Sequence, residues 1–310
     1  MDNNIAISVK NLTKVYNAGS KSEILALNNI SLNISQGSIF GLLGPNGAGK
    51  STFINILADL VRKSEGKIEI LKNDHDKNLK KVKSLMGIVP QELNIDPFFT
   101  PFELLEIHAG LYGVPKKLRR TMDILEMLAL EDKAHVYART LSGGMRRRLL
   151  IAKAMVHDPA ILILDEPTAG VDVELRTNLW KNIEKLNSRG KTIIITTHYL
   201  HEAEELCNEI AIIDEGKLIA HDSTSKIKSF IDNREIKIIY NNINDIDLSS
   251  LKNLNIDLKP NSKTIEINYK PSEIKFNDIL RAINESNIDI QDISIKETRL
   301  EDVFLKLTQS

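Results

Sequence analysis

Cysteine is nearly absent: Cys207 is the single one in 310 residues. An intrachain disulfide and a thiolate zinc cage are therefore excluded, and the reducing cytosol is the natural compartment. Long apolar runs are missing too. The longest, such as Ile161 to Leu164 and Ile210 to Ile213, fall far short of the ~20 residues a membrane span needs. The start, Met1-Asp2-Asn3-Asn4, lacks a basic segment followed by an apolar one, so no secretory signal is expected. Neither sign of charge dominates. With 41 Lys+Arg against 42 Asp+Glu the net charge is −1, which excludes a strongly basic nucleic-acid binder and an acidic tail protein. The last absence is local. All 15 glycines lie between Gly19 and Gly216, and residues 217–310 have none. Glycine serves where backbone takes positive φ or closely approaches a ligand, so the chemistry is expected before Gly216.

What is present divides accordingly. The first part alternates β-branched runs with helical segments, which argues for a parallel sheet flanked by helices. Strands are predicted at Ser38 to Leu43, Met86 to Val89, Ile161 to Leu164, Thr192 to Thr196 and Glu209 to Ile213. The stretch Thr100 to Met155 reads instead as consecutive helices: Phe102 to Leu111, Lys116 to Leu128 and Ser142 to Met155. In the glycine-free part, Glu235 to Tyr240, Lys263 to Tyr269 and Ile288 to Ile295 have strand character. Phe276 to Ile283 and Leu300 to Leu307 have helical spacing, so a small α+β domain is expected after a boundary near Ser223.

The segment Gly44-Pro45-Asn46-Gly47-Ala48-Gly49-Lys50-Ser51-Thr52 matches the phosphate-binding loop G-x-x-x-x-G-K-[ST], with a strand entering and a helix leaving. Its glycines let backbone N–H groups turn inward around phosphates, and the helix N-terminus adds positive potential. Lys50 would pair with the β/γ-phosphates, Ser51 would place its hydroxyl on Mg²⁺, and Thr52 would reach the α-phosphate. The strand Ile161 to Leu164 ends in Asp165-Glu166, where open α/β sheets place their ligands. Asp165 would hold Mg²⁺ through water, and Glu166 would act as general base on the attacking water. His198 ends another apolar strand and would contact the γ-phosphate or that water. His75, His108, His135, His157, His201 and His221 are taken as structural. Ser142 is a good N-cap, and with Gly143 and Gly144 it makes a second anion site at a helix N-terminus. One nucleotide does not need both sites; the second would serve a nucleotide held by another subunit. Arg146-Arg147-Arg148 is expected to form a solvated helix face, and Cys207 to be a packed helix residue.

In this order, the loop at Gly44 to Thr52, Leu141-Ser142-Gly143-Gly144, Asp165-Glu166 and His198 resemble the ABC transporter ATPases, over residues 5 to about 222. The resemblance implies an α/β P-loop NTPase (RecA-like) core sheet with an antiparallel β portion and a helical subdomain at about 92–157. The ATPase domain would span 1–222, with a small α+β accessory domain at 223–310. It implies that Tyr16 stacks on adenine, that Gln91 links Mg²⁺ and water to the helical subdomain, and that Ala169-Gly170-Val171-Asp172 crosses a dimer interface. Two subunits would pair head to tail, each ATP lying between Lys50 of one and Ser142 and Gly144 of the other. Met145 stands where the commonest signature has glutamine. With Arg146-Arg147-Arg148, Pro167 to Asp172 and Leu300-Glu301-Asp302-Val303-Phe304, it resembles the daunorubicin-resistance branch of drug exporters.

The implied function is ATP hydrolysis that energises a separate integral-membrane permease, exporting drugs or other hydrophobic compounds. The protein would sit peripherally on the cytoplasmic face of the membrane, with no nucleic-acid partner. A soluble ABC ATPase of DNA repair or translation is the alternative, although such proteins usually carry two cassettes or a long coiled-coil insertion. A P-loop kinase or GTPase fits neither the signature helix nor Glu166. Phe98, Phe99 and Phe102 cluster where the family receives the permease's cytoplasmic helix. Exposure of Phe98 or Phe99 would favour that contact, and full burial of all three would make them core.

Overall fold

A computed structural model describes residues 4–92, 94–169, 173–241, 255–259, 262–286, 288–296 and 299–308. The chain divides into two compact units, Met1–Thr224 and Ser225–Ser310.

Ten strands run through the described residues of the first unit: β1 (Ile5–Tyr16), β2 (Ile24–Ser35), β3 (Ile39–Leu43), β4 (Glu65–Ile70), β5 (Asn73–Asp74), β6 (Met86–Val89), β7 (Ile161–Asp165), β8 (Thr192–Thr197), β9 (Glu209–Asp214) and β10 (Lys217–Ser223). The helices between them are α1 (Lys50–Leu57), α2 (Leu79–Leu85), α3 (Pro101–Leu111), α4 (Thr121–Met127), α5 (Gly143–Met155), α6 (Val173–Asn187) and α7 (Leu200–Leu206). One sheet has the order β2-β1-β4-β5 and is antiparallel. The other has the order β10-β9-β3-β8-β7-β6; its pairs are parallel except for the antiparallel edge pair β10 and β9.

The apolar runs explain the second sheet. Ile161, Leu162, Ile163 and Leu164 are buried, as are Ile193, Ile194 and Ile195, because these central strands are covered on both faces. Register then positions the site. Leu43 of β3 pairs with Thr197 of β8, Asp165 of β7 with Thr196, and Val89 of β6 with Leu164. The carboxyl ends of four adjacent parallel strands therefore emerge along one edge, where such sheets hold ligands.

Two expectations need correction here. Lys116 to Leu128 is not one helix. A short 3₁₀ turn at Lys116–Leu118 precedes α4, and Arg119 between them is extended. Arg119 Nε donates to Val114 O and its Nη1 to Glu106, while Thr121 Oγ1 also donates to Glu106; these bonds break the helix. Strands β1, β2 and β4, absent from the strand prediction, were hidden by irregularity. Register shifts interrupt the β1–β2 pairing, and Asn11, Asn17 and Asn29 take positive φ, so period-two alternation slips.

From α8 (Thr224–Lys228), which starts on the last residue of the first unit, the chain continues in the second unit through β11 (Arg234–Tyr240), β12 (Asn255–Lys259), β13 (Thr264–Tyr269), α9 (Phe276–Glu285), β14 (Ile290–Lys296) and α10 (Leu300–Thr308). Its antiparallel sheet has the order β12-β13-β11-β14. Ile236, Ile238, Tyr240, Ile265, Ile267 and Tyr269 form a core with Ile279 and Ile283 of α9. Those two isoleucines lie four residues apart on one face of the helix. Each buries a side chain worth about 2 kcal/mol.

Candidate functional site

The loop after β3 turns back on itself into α1. Gly49 has φ 110°, and a Cβ there would stand 2.7 Å from Ala26 O, so only glycine fits. Gly49 is also the N-cap of α1, and no side chain among the described residues caps that end. Its first amides are left for a ligand. Lys50 is buried at 6% exposure, and its Nζ donates to Gly44 O at 2.8 Å and Pro45 O at 3.0 Å. Burial lowers its pKa, against the opposing pull of Glu166 and Asp165. The ammonium thus spans the mouth of its own loop, where phosphate oxygens would replace those carbonyls.

A cavity of about 720 Å³ opens over this loop. Asn46, Gly47, Gly49, Lys50, Ser51 and Thr52 line it from one side, and Gln91, Glu166 and His198 from the other. The second group comes from the ends of β6, β7 and β8. Glu166 is its centre. Gln91 Nε2 donates to Glu166 Oε2 at 3.0 Å, and His198 Nδ1 lies 3.1 Å from Glu166 Oε1. Glu166 takes φ 45°, a left-handed conformation uncommon for a residue with a Cβ. Its N–H is held by Thr196 O at 3.1 Å and Thr196 Oγ1 at 2.9 Å. The Thr196 hydroxyl also donates to the Asp165 carboxylate beside it.

Not every residue singled out in the sequence meets in this cavity. Asp165 stands directly behind Glu166 on β7 but is not among the described lining residues, and neither are Gly44, Pro45 and Ala48 of the loop's frame. Tyr16 also stays out of the lining. It pairs in register with Ile24, and Lys14 Nζ sits 4.6 Å from its ring centroid. Ile24, Leu25 and Ala26 line the cavity, with Ala169, Glu215 and Gly216. Sequence reasoning did not place these six at the cavity, and assigned Ala169 to the interface loop instead. Their one signal is two consecutive large apolar residues left exposed at the start of β2, Ile24 and Leu25, and exposure is visible only in the fold.

The signature lies apart from the cavity. Ser142 caps α5, its Oγ accepting from Met145 N at 3.3 Å, and Ser142 and Gly143 are exposed. Gly144 lines a different hollow, with Arg147, Arg148 and Asn178. Gly170, Val171 and Asp172 of the expected interface loop lie outside the described residues.

The arginine run is not a solvated face. Arg147 is 4% exposed. Arg148 Nη1 donates to Leu128 O at 2.7 Å and Ala129 O at 2.9 Å, and Arg146 Nη2 to Arg139 O at 3.1 Å. Loops on both sides of α5 offer carbonyls that draw the guanidinium groups inward. Cys207 is buried at the C-terminal end of α7, and burial raises its thiol pKa. Phe98 is 69% exposed and Phe99 38%, so neither belongs to the core.

Comparison with known proteins agrees with this geometry. The ABC transporter family model matches residues 27–169. The linearmycin resistance ATP-binding protein LnrL of Bacillus subtilis (strain 168) is 33% identical over 309 residues, covering 97% of this chain and 98% of that one. The Nod factor export ATP-binding protein I of Bradyrhizobium diazoefficiens is 35% identical over 318 residues, covering 98% and 97%. Among solved structures, an ATP-binding cassette captured as a post-hydrolysis dimer with ADP and Pi superimposes with TM-score 0.62 at 29% identity, over 70% of this chain and 98% of that one. Likeness that runs the full length of such relatives decides the family: this chain belongs to the ABC transporters, as an ATP-binding and ATP-hydrolysing subunit.

Proposed function

We propose that this subunit powers export of a hydrophobic compound through a separate membrane permease, with ATP hydrolysed at the cavity between Lys50 and Glu166. The observation that carries the site is the convergence of Gln91 and His198 on the Glu166 carboxylate over the phosphate loop. The loop amides and Lys50 bind the β- and γ-phosphates, and Thr52 reaches the α-phosphate. Glu166 accepts a proton from the attacking water. Gln91 and His198, each on one carboxylate oxygen, keep it aimed and leave lone pairs for that proton. Tyr16, next to Ile24 at the cavity rim, is assigned to the adenine, with Ile24 and Leu25 adding apolar surface.

The oxygen donors Ser51, Gln91 and Asp165 suit Mg²⁺, a hard cation that prefers hydroxyl, amide and carboxylate oxygen. Ser51 and Gln91 line the same cavity, and Asp165 is fixed one residue behind it. When bound, Mg²⁺ neutralises charge on the phosphate oxygens.

The partner site follows from separation. Ser142, Gly143 and Gly144 do not line this chain's nucleotide cavity, yet they stand at a helix N-terminus where Ser142 and Gly143 are exposed. In a head-to-tail homodimer they would close on the nucleotide of the second copy, with Asp172 at the interface. The dimeric cassette among the similar structures supports this arrangement.

No helix among the described residues is long and apolar enough to cross a membrane, and a separate membrane permease is the assigned partner. The exposed Phe98 and Phe99 fit a contact with its cytoplasmic helix, which would hold the subunit on the inner face of the membrane. Export is supported by the names of the two full-length relatives. Residues 1–222 are assigned as the ATPase domain and 223–310 as an accessory domain.

The test is Glu166→Gln. The variant should bind ATP, hydrolyse it about 1,000-fold more slowly, and accumulate as a nucleotide-bound dimer in size-exclusion chromatography. Turnover at the wild-type rate would remove Glu166 from the role of base.

A further inference from the structure

Arg147 stands three residues after the signature glycine Gly144, yet it faces inward. Its guanidinium donates to four main-chain carbonyls: Nε to Pro167 O at 3.0 Å, Nη1 to Pro90 O and Gln91 O at 2.9 Å each, and Nη2 to Glu166 O at 2.8 Å. These acceptors belong to two turns, one after β6 and one after β7. Each turn carries one member of the Gln91–Glu166 side-chain pair. The guanidinium is thus the fastener between two strand ends, inserted from a third element.

Three physical points raise this above ordinary packing. A buried cation is costly unless its donors are met, and here carbonyls meet them with no carboxylate hydrogen-bonded to it among the described residues. The planar fork is also necessary, since an ammonium offers three donors from one point and cannot reach four separated carbonyls. Finally, the grip is on strained backbone. Glu166 at φ 45° has its N–H held by Thr196 from β8 and its C=O held by Arg147 from α5.

We propose that Arg147 is a positioning residue for ATP hydrolysis: from the signature helix it holds the main chains of Gln91 and Glu166 so that the Glu166 carboxylate stays aimed into the Lys50 cavity. It touches no substrate. It acts through the backbone of the two groups that do, and any shift of α5 is passed directly to that carboxylate. This rests on the assignment of Glu166 as the base.

The experiment uses the purified full chain with MgATP, measuring phosphate release and equilibrium ATP binding for Arg147→Lys and Arg147→Gln. Turnover is expressed per ATP-binding molecule, so a partly unfolded preparation still decides. Misplacing a catalytic group by about 1 Å costs about 100-fold, and kcat should fall by that order while the ATP Kd stays within about threefold. A merely structural role would lower Tm and the binding fraction but leave kcat per competent molecule unchanged. In a Glu166→Gln background Arg147→Lys should slow the residual turnover no further, because the group it positions is gone. Arg147→Lys at wild-type kcat, or a full multiplicative loss on top of Glu166→Gln, would overturn the proposal. Rapid turnover by Glu166→Gln alone would instead fault the base assignment.

Discussion

Helices α1 and α5 each have glycine at their start, Gly49 as the N-cap of α1 and Gly143 as the first residue of α5, and both are assigned to ATP, but their first amides are treated in opposite ways. At α1 the N-cap is Gly49 in a left-handed conformation, and no described side chain caps the helix. At α5 the N-cap is Ser142 in an extended conformation, and its hydroxyl already accepts from Met145 N. A third helix, α3, is satisfied further still. Thr100 and Glu103 form a reciprocal capping box with Pro101 at the first helical position. The series runs from an end with no described side-chain cap, through one with a single serine cap, to one capped reciprocally. The α1 end is open because no described side chain caps it, while the buried Lys50 ties back to Gly44 O and Pro45 O across the loop. The α5 end is exposed, where a second chain can reach it.

Substitutions can break this series at each step. The largest effect is expected from Lys50→Ala. With the buried ammonium gone, ATP binding should weaken by more than about 100-fold in calorimetry, since a charge-assisted contact from a buried side chain is lost. Near-normal affinity would mean that the α1 amides alone bind phosphate. Gly49→Ala comes next. Its Cβ would meet Ala26 O at 2.7 Å and its φ of 110° is disfavoured, so both thermal stability and ATP affinity should fall. Loss of stability with affinity intact would separate loop shape from function.

Ser142→Ala should split the readouts. Loss of the cap costs the isolated chain about 1 kcal/mol in denaturant titration. ATP binding by the monomer should be unchanged, while hydrolysis that depends on the dimer falls. Mixing Lys50→Ala with Ser142→Ala subunits should rebuild one intact composite site per heterodimer. No recovery of nucleotide-dependent dimers in that mixture would end the trans assignment.

The smallest effect belongs to the self-contained end. Thr100→Ala should cost about 1 kcal/mol of stability and leave ATP binding untouched. It should also be pH dependent. The backbone N–H and the hydroxyl of Thr100 hold the Glu103 carboxyl below its usual pKa. A carboxylate with a depressed folded-state pKa stabilises above its unfolded value and loses that contribution as pH falls through the folded one. The gap between wild type and Thr100→Ala in thermal melts should therefore narrow below about pH 4.5.

Much of the site was legible because its signals are local. The loop at Lys50, the acids after Ile161 to Leu164 and the cap at Ser142 each occupy a few consecutive residues. The central strands showed themselves because both faces are buried and the apolar run is unbroken. The long strands β1 and β2 did not, since bulges shift their alternation. Arg147 was invisible for a different reason. Its acceptors are 19, 20, 56 and 57 residues away, and a carbonyl acceptor leaves no trace in residue identity.

By itself, then, the sequence settled the chemistry on offer: a phosphate loop, two acids at a strand end, a histidine at another and a second glycine-rich cap. It also separated a glycine-bearing catalytic portion from a glycine-free remainder, because positive φ and close backbone approach select glycine at the residue itself. Tertiary structure alone decided which groups meet. Parallel register brings the ends of β3, β8, β7 and β6 to one edge, so Gln91, Glu166 and His198 touch although they are up to 107 residues apart, as 198 − 91 shows. It also kept Ser142 out of that cavity and turned Arg147 inward. Those outcomes depend on register and on turn carbonyls lying outside the strand ladders, which are properties of the folded backbone.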